Sequence, residues 1–201
     1  KKADYVTAIS FFLSQKVKEA GYRGRVQIVP NGVDIEKFRN RDSGLKNGRV
    51  IISASRRVYK NGLDILEKAF EIVKKKFPDA ELRIISDVKY EDIPKYLWEA
   101  NIFVRPSRSE GLGTAFLEAM AAGLPIIGTP VGGIPDFLKD KETGLFTKVD
   151  DPEDLAEKIE LLFSDDALRQ KLIRHGRKLI EEKYQWSKIA RDMEKIFSSL
   201  L

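Results

Sequence analysis

The chain has 201 residues, 42% of them hydrophobic and 33% charged, enough for one domain with a two- or three-layer core and too apolar for disorder. With no cysteine and a single histidine, a disulfide scaffold is excluded, and a protein-only zinc site or a Ser-His triad is hard to assemble. The net charge of +5, from 36 Lys+Arg and 31 Asp+Glu, is spread along the chain without a basic stripe or stacking aromatics, which excludes a nucleic-acid module; no apolar run approaches a membrane span.

In chain order, "ADYVTAIS" (3–10) alternates as a strand does, and Phe11 to Ala20 reads as a helix closed by Gly21. "RVQIVPNGVD" gives a second strand and an Asn31-Gly32 turn. Residues 1–38 form a first segment, and the polar, glycine-containing stretch 39–48 reads as a linker. The main domain, 49–185, opens with the buried-type strand "RVIISAS" and a helix whose apolar positions Leu66, Phe70, Val73 and Phe77 recur at helical spacing before Pro78. "ELRIIS", "NIFVRPS" and "LPIIGT" supply three more strands. Four strands alternating with helices predict an α/β fold, a Rossmann-like, doubly wound parallel sheet covered on both faces. Beyond "TGLFTKV" the chain finishes on helices: Asp151-Pro152 caps one, with Leu155, Ile159 and Leu162 on one face, and breaks are expected near Gly176 and around Trp186, which precedes a final helix within 186–201.

Such a sheet binds ligands at the carboxyl ends of its strands, and the unusual residues fall there. After "NIFVRPS" comes "RSEGLGT", with Thr114 expected as the N-cap of a helix from Ala115 to Ala122 closed by Gly123. Gly111 and Gly113 allow close backbone approach to a ligand, and the helix end suits a phosphate. Two carboxylates bracket this turn. Glu118, one turn into the helix, satisfies the helix dipole; Glu110, in the loop before it, has only a ligand or solvent to face. Acceptor-only carboxylates on either side of a diphosphate site suit a ligand with hydroxyls at both ends, as in a nucleotide sugar.

The stretches "ADYVTAIS", "PNGVD", "SRRVYKNG", "PSRSEGLGTAFLEAMAAGLPIIGTPVGGIPD", "TGLF" and "YQWSKIA" together resemble the retaining glycosyltransferases of family four (glycosyl transferases group 1), which have the two-domain B-type (GT-B) fold. Their signature, a glutamate, seven residues and a second glutamate, is matched by Glu110 and Glu118. The resemblance implies the C-terminal, donor-binding half of such an enzyme, with Glu110 on the transferred sugar, Glu118 on ribose hydroxyls, the amides of Gly111, Leu112, Gly113 and Thr114 near sugar and phosphates, and Arg56 bracing the diphosphate. The family's lysine directly before a glycine is here Asn61, with Lys60 one residue early. A further helix and strand usual between "LRIIS" and "YLWEAN" is replaced by "DVKYEDIPK".

The resemblance further implies transfer with retention, a leaving diphosphate that helps deprotonate the acceptor hydroxyl, no metal and no cofactor beyond the UDP- or GDP-linked donor. Its partners would be the donor, a sugar, lipid-linked or polysaccharide acceptor, and an N-terminal domain that carries other catalytic groups. With no signal segment at its Lys-Lys-Ala start, the chain is expected to be an excised domain that stays in the cytoplasm or at its membrane surface. A lysine- and glutamate-rich composition suits a heat-stable protein. His175 reads as a solvated surface residue, and Gly132-Gly133 either approaches the nucleotide or makes a strand-to-helix turn. A dinucleotide-dependent oxidoreductase is disfavoured because "GLGTAF" lacks the third glycine and follows the third strand of its domain. A non-catalytic nucleotide-sugar-binding or interaction module and a sugar-nucleotide epimerase of the same fold stand as alternatives.

Overall fold

The computed structural model describes residue 3 and residues 5–39 and 48–200; most of the expected linker, at 40–47, lies outside them. Two short strands, β1 (Val6–Ala8) and β2 (Val26–Ile28), pair in parallel around α1 (Phe11–Glu19). Ser10 caps α1, its hydroxyl accepting from Leu13 N, and Asp34 caps the short α2 (Ile35–Phe38), which the sequence reading had not separated from the turn before it.

Five further strands follow: β3 (Val50–Ala54), β4 (Glu81–Ile85), β5 (Ile102–Arg105), β6 (Ile126–Gly128) and β7 (Leu145–Phe146). All pair in parallel, in the order β4-β3-β5-β6-β7. Their alternating side chains serve two cores. On one face Ile52, Phe103 and Ile126 meet Phe116, Phe137 and Met120, joined by Val33, Ile35 and Phe38 of the first segment. On the other, Ile51, Ile102, Val104 and Ile127 meet Leu66, Val73, Leu155, Ile159 and Leu162. Burial on both faces explains why these strands read as unbroken apolar runs.

The helices are α3 (Leu63–Lys76), α4 (Ile93–Trp98), α5 (Thr114–Ala122), α6 (Pro152–Ser164), α7 (Asp166–Leu179) and α8 (Trp186–Ser198). α3 and α6 lie on one face of the sheet; of the expected positions Leu66, Val73, Leu155, Ile159 and Leu162 are buried, while Phe70 and Phe77, the latter at the C-cap of α3, are half-buried against them. Three expectations change. β7 is a fifth strand, only two residues long and so too short to show alternation. Gly176 does not break a helix: it lies buried within α7, facing the side chain of Met120 on α5. The break falls instead at Asp165, whose carboxylate accepts from Leu168 N and starts α7. Thr114 is not the N-cap of α5. Gly113 takes that place at φ 93°, and Thr114 begins the helix.

A π-helical turn, Ile180–Tyr184, joins α7 to α8. There the chain returns to its first segment: Val33 N donates to Tyr184 O at 2.7 Å, and the Trp186 ring lies where a side chain at Gly32 would stand.

Candidate functional site

In this strand order the chain leaves β3 toward β4 and leaves β5 toward β6, so the loops after β3 and β5 diverge and open a crevice at their carboxyl ends. The two loops are joined backbone to backbone at its floor. Arg108 N donates to Lys60 O at 2.8 Å, and Gly62, at φ 68°, passes so close to the Pro106 carbonyl that no Cβ would fit. Any side chain at position 62 would push the loops apart.

The crevice is about 290 Å³ and is lined by Arg56, Lys60, Asn61, Arg105 and Glu118, with Ser86, Asp87, Val88 and Ile93 on the side of β4. Arg56 and Lys60 are exposed and unpaired among the described residues, whereas the adjacent Arg57 is tied to Glu67 at 2.7 Å. Asn61 is buried, and both ends of its amide are held: Nδ2 donates to Arg56 O at 2.8 Å and Oδ1 accepts from Arg105 Nη2 at 2.9 Å. It therefore braces the arginines, and the free amine on this turn belongs to Lys60.

Arg105 escaped sequence reasoning. It ends β5, and its Nη2 lies 2.8 Å from Glu110 Oε2, both side chains being 12% exposed. Burial holds the guanidinium below its usual range, and the Glu110 charge opposes this. An arginine closing an otherwise apolar strand was the available signal, since a cation there is desolvated unless it meets a carboxylate. Glu110 meets this guanidinium through Oε2, while Oε1 accepts from Gly111 N at 3.1 Å. The angles of the ion pair leave Glu110 Oε2 and Arg105 Nε without hydrogen bonds.

Glu110 does not line the crevice; nor do Gly111, Leu112, Gly113 and Thr114, which run alongside it. Leu112 is buried in the core, so only its backbone faces outward chemistry. Thr114 Oγ1 accepts from Asn31 Nδ2 at 3.5 Å. Gly132 and Gly133 act on this loop as well: Gly133 N donates to Glu110 O at 3.2 Å, and a Cβ on either glycine would strike the Glu110 or Gly111 carbonyl. They are a packing device that fixes the loop. α5 begins without a capping side chain, whereas α1, α2, α6 and α7 each have one.

Glu118 lies one turn inside α5 and is 8% exposed. Burial pushes its carboxyl up to about 7, and the Lys37 ammonium on α2 pulls the other way. Lys37 in turn stands 3.7 Å over the Tyr90 ring. His175 is away from the crevice lining, with Nδ1 3.1 Å from Glu142 O. Among the described residues no group of three or more His, Asp or Glu could hold a metal, and no helix is long and apolar enough to cross a membrane.

A parallel sheet in this order, with a crevice at its switch point, defines a doubly wound α/β domain of the Rossmann-like kind. Residues 83–179 match the family model for glycosyl transferases group 1, and the α/β fold is of the GT-B type. It is 28% identical over 240 residues to the GDP-mannose-dependent monoacylated alpha-(1-6)-phosphatidylinositol monomannoside mannosyltransferase of Corynebacterium glutamicum, covering 98% of this chain and 63% of that protein. The C-terminal domain of the glycosyl transferase group 1 family protein LpcC from Francisella tularensis superposes with a TM-score of 0.67 at 25% identity, covering 77% of this chain and 100% of that one. HepE from Anabaena, solved in complex with UDP-glucose, superposes with a TM-score of 0.82 at 19% identity, covering 99% of this chain and 65% of that one, a likeness of fold. The chain spans between 53% and 63% of the length of the first curated relatives it matches.

Proposed function

We propose that this chain is the donor-binding half of a retaining glycosyltransferase of family four, of the hexosyltransferase type. It would hold a nucleotide sugar in the crevice between the loops after β3 and β5. The observation that carries the reading is the pairing, in one crevice, of the unpaired cations Arg56 and Lys60 with the buried carboxylate of Glu118. The cations suit a diphosphate, and the carboxylate suits ribose hydroxyls. Lys60 takes the part of the family's lysine, because Asn61 is committed to bracing Arg56 and Arg105.

A role for Glu110 on the transferred sugar would require its carboxylate to turn from Arg105 toward the donor, because Oε2 is buried against that guanidinium at 2.8 Å. The protein's contribution to transfer would be electrostatic. Fixed cations and the uncapped start of α5 stabilise charge that builds on the leaving diphosphate, which itself assists deprotonation of the acceptor. The acceptor site and remaining groups would come from an N-terminal half. A cytoplasmic location, at the membrane surface where the acceptor is lipid-linked, belongs to the same proposal.

Calorimetric titration with UDP, GDP and ADP and their sugar conjugates tests the reading. We expect one nucleotide series to bind, with Arg56→Ala weakening it about tenfold to a hundredfold, the value of a charge-assisted contact. Absence of any binding at millimolar concentration would overturn it.

A further inference from the structure

The crevice is polarised. Arg56, Lys60 and Arg105 follow β3 or end β5, while Ser86, Asp87 and Val88 follow β4, the edge strand, and Glu118 lies on the helix that completes the lining. A nucleoside diphosphate laid across the strand tips has its phosphates at the cationic end and ribose near Glu118. Its base then lies over the β4 end, where Val88, Ile93, Ile85 and Ala54 offer an apolar surface to a ring.

At that end stands one charged side chain, Asp87. It is exposed on the crevice wall, has no hydrogen bond or ion pair among the described residues, and is held at φ 57°, a left-handed conformation that few non-glycine residues adopt and Asp and Asn tolerate best. The residue comes from the short connection between β4 and α4. A lone carboxylate is an acceptor with two oxygens. Of the common bases, guanine alone presents two adjacent donors on its Watson–Crick edge, N1–H and the 2-amino group. Uracil presents one N–H between two carbonyl oxygens, so a carboxylate that approaches it meets repulsion with its second oxygen.

Resting on the donor-binding reading above, we infer that Asp87 is the base-selecting residue of this crevice and that it selects guanine, making a GDP-linked sugar the donor. Asp87 would accept both guanine N–H groups, with Val88 and Ile93 against the ring face. Selection is by charge as much as by fit, because the same carboxylate that pairs with guanine repels the uracil carbonyls.

The test is calorimetric titration of the chain and of Asp87→Asn with GDP, IDP, UDP and inorganic pyrophosphate. Asn is close to isosteric and keeps the left-handed backbone, so the variant folds as the parent does. IDP keeps N1–H but lacks the 2-amino group. We expect GDP to bind at least about tenfold tighter than UDP, and IDP to fall between them, since a hydrogen bond to a charged group is worth about a factor of ten or more. Asp87→Asn should weaken GDP about tenfold, narrow the GDP–IDP gap, and leave pyrophosphate within about twofold. Binding of pyrophosphate and of UDP at least as tightly as GDP, or equal weakening of both nucleotides by Asp87→Asn, would overturn base selection by Asp87 while leaving the donor-binding reading intact. Failure of pyrophosphate and all three nucleotides to bind would overturn both.

Discussion

Glu118 stores a measurable quantity of free energy because it is buried on a helix that packs against α2, α4 and α7. In the unfolded chain its carboxyl titrates near 4.5, and in the folded protein at about 7. Between those values the folded state keeps a proton that the unfolded state has released, so stability falls as pH rises from about 4.5 to 7 and is flat above, a loss of about 3 kcal/mol. Glu118→Gln removes the titration. Urea unfolding at pH 5 and pH 8 should show a pH-dependent loss in the parent that is absent in the variant, and the variant should be the more stable at pH 8. The same titration governs ligand binding under the proposed role: ribose hydroxyls need an ionised acceptor, so nucleotide affinity should rise between pH 6 and pH 8 in the parent and stay level in Glu118→Gln. A flat profile in the parent would remove Glu118 from the ribose.

At the scale of elements, the β3 loop is kept in shape by a residue that lies outside the crevice. Arg108, in the loop after β5, is bidentate to Asp64 at 2.7 and 2.8 Å, reaches Asp150 at 2.6 Å, donates to Tyr59 O at 2.7 Å and lies 4.0 Å from the Tyr59 ring centroid. It fastens the turn that presents Lys60. We expect Arg108→Ala to weaken nucleotide binding about threefold to tenfold by loss of preorganisation, with the far-ultraviolet circular dichroism unchanged; Arg108→Lys, a point charge without the fork, should recover only part. How far the sequence revealed these elements depends on the signal each one leaves. α3 and α6 were legible because their buried residues recur at helical period, and Gly123 because a left-handed C-cap favours glycine. Thr114 misled because Ser, Thr, Asp and Asn usually cap helices, whereas here Gly113 turns the chain and leaves the first amides open. Gly176 misled because glycine is tolerated inside a helix, here α7, as well as at its end. The Glu110–Arg105 pair was invisible because its halves are joined by tertiary contact, and the sequence reading singled out Glu110 alone.

For the whole molecule, the last helix is bound to the first segment. Ile189 and Ile196 of α8 form a small core with Val29, against which Tyr5 and Met193 pack, and Val33 bridges to Gln185. Removing residues 186–201 should therefore release β1 and β2 before it disturbs the five-stranded sheet. Hydrogen exchange should show faster exchange at Val6–Ala8 and Val26–Ile28, with β3 and β5 still protected; uniform acceleration would mean that the two sheets unfold as one unit. Given the proposed division of labour, the isolated chain should bind donor yet transfer no sugar, and a product assay with donor and candidate acceptors would settle that by the appearance or absence of glycosylated product.

The backbone contacts at Gly62, Gly132 and Gly133 bear on how this chain can change. Three positions without side chains hold the loops on carbonyl oxygens, so no variation there is neutral, while Asp87, Val88 and Ile93 meet the crevice with side chains alone. A saturation library selected for folding should be empty of substitutions at the first three positions, accept Asn and Gly at Asp87, whose φ is 57°, and accept mainly apolar residues at Val88 and Ile93, which pack on the core. New donor preferences would then arise from the β4 rim over an unaltered frame, which makes that rim the evolvable part of the molecule.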